Sequence, residues 1–151
     1  MDDAKLVADG LAATGQGRVL LLACGALARE ILALKSLNGW DHLDLHCLPA
    51  NLHNTPDAIP DAVEQAVLDR RADYDTVFVV YADCGTGGHL DALCEREGVQ
   101  RIAGPHCFSF YMGNKTFETE NDDMITSFFM TDFLAQHFET FFVKPLGLDR
   151  H

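Results

Sequence analysis

Three of the five cysteines in this 151-residue chain occupy equivalent places in the sequence, each just beyond a short apolar run. Cys24 follows Val19 to Ala23, Cys84 follows Thr76 to Tyr81, and Cys107 follows Val99 to Ala103 through Gly104, Pro105 and His106. Thiolates joined by one or two imidazoles suit zinc or an iron centre, iron–sulfur included, because soft sulfur and borderline nitrogen donors select those metals. The expected metal ligands are Cys24, Cys84, Cys107 and His106, with His53 as the other candidate for the fourth position. The sequence has no Cys-x-x-Cys pair, so this set exists only if the fold brings separate strand ends together.

Asp83 and His53 are the candidate catalytic groups. Asp83 would orient a ligand or accept a proton. His53, in the polar loop 51–56, would act as ligand, general base or helix cap. Gly25 and Gly85 directly follow two of the thiols and would let a bound group approach the backbone closely. With Gly85, the residues Thr86, Gly87 and Gly88 offer amide donors at a helix start, a place that suits a small phosphate or carboxylate. No Gly-Lys-Ser/Thr follows and the glycine spacing is not that of a dinucleotide fingerprint, so no nucleotide cofactor is implied. Cys47 falls within an expected strand and Cys94 within an expected helix, where packing explains a thiol. Two further readings stay open. Two of the thiols would form a metal-free acid/base pair acting on a small carboxylate, or all of them would be packed inside an acidic protein-interaction module.

The elements that must position these groups follow from periodicity. Arg18 to Ala23, Leu43 to Leu48, Thr76 to Tyr81 and Val99 to Ala103 read as strands, and Ser127 to Met130 as a fifth short one. Between them, 26–37, 57–71 and 89–97 carry apolar residues at helical spacing, with Gly39 and Gly98 as stops after the first and third. The segment 108–117 reads as an irregular aromatic stretch, in which Phe108 to Met112 would wall a pocket or close the core, and 132–143 as a helix capped by Thr131 or Asp132. Strand-then-helix repetition predicts an α/β fold, a three-layer sandwich around a mostly parallel, doubly wound sheet of four to five strands. Residues 1–17 read as a helical arm and 18–151 as a single α/β domain. In such sheets ligands bind beyond the carboxyl ends of the strands, where the three thiols fall.

Composition narrows the function classes. The chain carries 23 Asp or Glu against 11 Lys or Arg, a formal charge of −12, and is 48% hydrophobic. That is enough apolar material for one core, and a chain of this size buries roughly 70% of its unfolded surface. The acidic balance, with no basic cluster, argues against nucleic acid and against an anionic membrane surface. The longest apolar stretch is far short of a bilayer span and the N-terminus is acidic rather than basic, so the expectation is a cytoplasmic protein with reduced thiols. Its partner would be a small molecule or a metal ion. Composition does not specify an oligomeric state.

Four blocks in order carry a resemblance: residues 23–31 around Cys24 and Glu30, Leu48-Pro49-Ala50 followed by Leu52-His53-Asn54-Thr55-Pro56, Asp83 to Gly88, and Gly104-Pro105-His106-Cys107. From about residue 18 onward the chain resembles the domain of unknown function 1638 family. Some members of that family are encoded near corrinoid-dependent methyltransferase components. The resemblance therefore implies an enzyme or accessory factor in one-carbon, corrinoid-linked metabolism, with a protein partner in corrinoid methyl transfer. The cobalamin-binding pattern Asp-x-His-x-x-Gly does not occur in this chain. Family members usually continue past the position of Gly147, so the resemblance also implies a C-terminal truncation.

Overall fold

A computed structural model describes residues 1–120 and 122–150. Four strands, β1 (Val19–Cys24), β2 (Leu43–Leu48), β3 (Thr76–Val80) and β4 (Gln100–Arg101), form one all-parallel sheet in the order β2-β1-β3-β4. The connecting helices are α2 (Ala28–Asn38), α3 (Ile59–Arg70) and α4 (His89–Glu97), and α1 (Asp3–Ala8) precedes the sheet. The chain winds outward from β1 to β2 and then crosses back to β3. Right-handed crossovers therefore put α2 on one face and α3 with α4 on the other. The α3 and α4 helices pack together accordingly, and the α/β expectation holds.

Local sequence accounts for the elements. β1 is buried along most of its length as one of two interior strands, which is why Val19 to Cys24 is an unbroken apolar run. α2 ends where Gly39 takes a left-handed conformation (φ 62°), and the amide of Trp40 returns to the Lys35 carbonyl. α4 ends in the same way at Gly98. The apolar stripe Ile59, Val63, Ala66 and Val67 of α3 and Leu90, Leu93 and Cys94 of α4 are buried with Val77 and Val79 of β3. Cys47 and Cys94 are buried core thiols. Leu6 of α1 is buried as well, and Leu11 exchanges two backbone hydrogen bonds with Cys47, which closes the free edge of β2.

Residues 108–143 depart from expectation. Among the described residues the sheet has no fifth strand: Ser127 to Met130 is irregular, and Phe128 is exposed. β4 is only two residues long and offers little edge to pair with, so β-prone side chains there find no ladder. The aromatic stretch instead forms two short helices, α5 (Phe108–Met112) and α6 (Asn114–Glu120). The last expected helix breaks at His137 into α7 (Asp132–Gln136), capped by the Thr131 hydroxyl accepting from the Leu134 amide, and a π-helical turn, Glu139–Val143. No helix among the described residues is long and apolar enough to cross a membrane.

Candidate functional site

The strand order reverses between β1 and β3, and at such a switch point the two flanking connections leave in opposite directions and open a crevice. Cys24 is the last residue of β1 and lies at that crevice. Beyond β3 the chain stays extended beside the segment that follows β4. The Asp83 amide donates to the Gly104 carbonyl (3.0 Å) and the Cys84 amide to the Pro105 carbonyl (3.1 Å). This continuation of the sheet sets Cys84 against Cys107, with the two sulfurs 3.0 Å apart.

Cys84 is the sole non-glycine residue with positive φ (49°) among the described residues. Such a backbone is costly for a side chain with a Cβ and tends to persist where a site requires it. Gly85, Gly87 and Gly88 continue the turn with positive φ. The Asp83 carboxylate holds the turn from within. It accepts from the Thr86 hydroxyl and the Gly88 amide (2.9 Å each) and from the Gly87 amide (3.3 Å). Burial would raise the Asp83 pKa, but these bonds outweigh it and leave the carboxyl below its usual range. The amides expected to meet a bound anion are thus taken by the protein's own carboxylate, and Asp83 positions the Cys84 loop. Gly25 likewise serves packing, since a Cβ there would stand 2.6 Å from the Leu6 carbonyl oxygen and 3.1 Å from that of Leu48.

Both imidazoles reach the site. His53 lies in the 3₁₀ turn Ala50–Asn54, which the Asn54 side chain ties to the Thr140 carbonyl. Its ring meets His106 and Phe141 edge-on, with centroids 5.9 Å apart in each case. His106 stacks on Phe108 at 4.6 Å, and its Nδ1 accepts from the Phe108 amide. Burial pulls both histidines below the usual imidazole pKa, and for His106 the neighbouring His53 adds to the effect, so both rings are neutral at pH 7. A small cavity of about 30 Å³ is lined by Cys24, His53, His106, Cys107 and, among others, Tyr111 and Phe141.

The Cys24 and Cys84 thiols are held in the protonated form. Burial pushes Cys24 up to about 11. Cys84 is raised still further, first by its hydrogen bond with Cys107 and then by burial. Tyr81, which the sequence reading treats as the end of a strand, belongs to the site. It follows Val80, the register partner of Ala23, and so comes level with Cys24. Its hydroxyl is buried with no well-formed hydrogen bond among the described residues, and the Cys24 sulfur lies beside it. Glu30 and Tyr111 also adjoin the site, and burial, with the Glu30 carboxylate adding to it, raises the Tyr111 pKa. Among the described residues, however, no three His, Cys, Asp or Glu side chains stand close enough to hold a metal ion without moving.

A family described as protein of unknown function (DUF1638) matches residues 47–151, which include His53, Cys84, His106 and Cys107 but not Cys24. No curated protein and no solved structure matches the chain.

Proposed function

The chain belongs to the DUF1638 family, and for this member we propose a thiophilic metal site at the β1/β3 switch point, with Cys24, Cys84 and Cys107 as thiolate donors and an imidazole as the fourth. The observation that carries the proposal is the contact between the Cys84 and Cys107 sulfurs at 3.0 Å. Two thiolates on one tetrahedral zinc stand about 3.8 Å apart, given Zn–S bonds of about 2.3 Å. The pair therefore needs to open by less than about 1 Å. Cys24 and one imidazole would close onto the ion, so metal entry completes the site. His53 is the freer imidazole, because His106 Nδ1 already accepts the Phe108 amide.

Electrostatics supports the same reading. Three thiolates on a divalent ion carry a net charge of −1 in place of −3, which removes most of the cost of burying them. The orphaned Tyr81 hydroxyl beside Cys24 would then have a thiolate to donate to. Metal-free acid/base chemistry requires a thiolate standing near neutral pH, and burial together with the thiol contact works against one at Cys24 and Cys84.

The test is metal analysis of protein purified without oxygen, followed by titration of the metal-free form with cobalt(II), whose thiolate charge-transfer absorption counts sulfur donors. One equivalent of bound metal is expected in the wild type, and loss of the absorption in Cys24→Ser, Cys84→Ser and Cys107→Ser. Folded wild-type protein that takes up neither zinc nor cobalt would overturn the assignment, as would Cys84→Ser binding as the wild type does.

A further inference from the structure

Beside the thiol cluster lies a second, larger hollow of about 350 Å³, bounded by α2, α5, the irregular segment 127–131 and the start of α7. Its lining is of two kinds. Phe108, Tyr111 and Phe129 supply aromatic surface and Met112 and Met130 thioether surface, while the charged groups are the carboxylates of Glu30 and Asp132. No Lys, Arg or His lines it among the described residues. Phe108 and Phe129 stack with centroids 5.3 Å apart, which fixes one wall. One carboxylate oxygen of Glu30 is shut away from solvent without a well-formed hydrogen bond among the described residues, and the Tyr111 hydroxyl lies beside the carboxylate.

A carboxylate set among aromatic side chains, with only a phenol beside it, is better satisfied when a positive group stands next to it. Aromatic faces attract a cation through their quadrupole, thioethers are polarisable, and a cation carrying alkyl groups gains from both while losing little hydration. A free anion would meet two carboxylates here and be repelled. We propose that this hollow binds an organic ammonium cation, seated between Phe108, Tyr111 and Phe129 with Glu30 as its counter-charge. Because Phe108 and Tyr111 also wall the thiol cavity, the cation would sit next to the metal site. The assignment does not depend on the metal reading.

Metal-free full-length protein is titrated with tetramethylammonium, with choline, and with 3,3-dimethylbutan-1-ol, the neutral isostere of choline. Binding is followed by calorimetry and amide chemical shifts. Both cations are expected to bind and the alcohol at least roughly tenfold more weakly, the difference being the charge term. Glu30→Gln, which preserves shape, is expected to weaken choline by roughly tenfold and to leave the alcohol unchanged, and Phe129→Leu to weaken both cations. Equal binding of choline and its neutral isostere would overturn the proposal by showing a merely apolar hollow. Wild-type choline affinity in a folded Glu30→Gln protein, or no cation binding in the millimolar range, would overturn it too. Cobalt uptake measured on the same Glu30→Gln protein reports on the metal site separately.

Discussion

Removing the Tyr81 hydroxyl should move metal affinity and metal-free stability in opposite directions. In the metal-free protein that hydroxyl is fully buried beside a protonated Cys24, without a well-formed hydrogen bond. A buried polar group left unpaired costs about 1–3 kcal/mol. Tyr81→Phe deletes that cost and leaves a void of a single oxygen, so the metal-free variant should be as stable as the wild type or about 1 kcal/mol more stable. With metal bound, Cys24 is a thiolate and the same hydroxyl becomes a donor to a charged acceptor, worth about 1.5–3 kcal/mol. Its loss should weaken zinc by roughly ten- to a hundredfold. Urea unfolding of the metal-free proteins gives the first quantity, and competition with a chromophoric chelator gives the second. Unchanged zinc affinity in a variant destabilised by more than about 1 kcal/mol would refute the reasoning, because the hydroxyl would then be serving the fold and not the thiolate.

Two further perturbations test the frame that holds the site. The Asp44 carboxylate accepts from the Thr14 amide and hydroxyl, the Gly15 amide and the Tyr74 hydroxyl. Burial opposes ionisation there, but these donors prevail and lower the pKa from 3.8 to about 2. A depressed carboxyl stabilises the fold above its unfolded value and loses that contribution as pH falls from about 4 toward 2. Asp44→Asn should therefore flatten the acid limb of the stability profile by on the order of 2 kcal/mol at most, less where solvent screens the site, as read by urea unfolding across that range. Gly25→Ala places a Cβ 2.6 Å from the Leu6 carbonyl oxygen, and backbone on both sides cannot yield. It should destabilise the protein by about 2 kcal/mol or more and loosen α1, visible as faster amide exchange around Leu6.

How much of this could be read from the sequence depended on whether the signal was local. The bounds of β2 and α4 come directly from an alternation of apolar and polar residues and from a glycine stop, and the parallel sheet follows from strand-helix repetition. The three strand-end thiols were legible because the strand-end rule needs only the order of elements. Tyr81 was not, since its side chain joins Cys24 only through the register of β3 on β1, which pairs Val80 with Ala23. Glu30 was legible only as an open choice: helical spacing lets it approach the site or lie in solvent, and α5 with segment 127–131 folding over it decides for the site. That segment was misread as a strand because Phe128 and Phe129 are β-prone. Their partners turn out to be other aromatic rings, Phe142 for Phe128 and Phe108 for Phe129.

The polarity of the sheet edge then decides which class of ligand it can take. A glycine-rich turn at a helix start ordinarily draws anions, because its amides point outward. Here Asp83 folds back and accepts from Thr86, Gly87 and Gly88, so the donors are used internally and the charge left on the turn is negative. The imidazoles cannot restore a positive field, since burial keeps both His53 and His106 neutral. What remains on that side is acidic or potentially anionic: the thiols of Cys24, Cys84 and Cys107, the carboxylates of Glu30 and Asp132, and the buried hydroxyl of Tyr81. A chain of formal charge −12 adds a background potential of the same sign. The two proposals share this polarity, both placing positive charge at the edge, and the two hollows differ in what kind they would take. Sulfur donors around about 30 Å³ would suit a bare soft ion, while aromatic and thioether walls around about 350 Å³ would suit a cation wrapped in carbon.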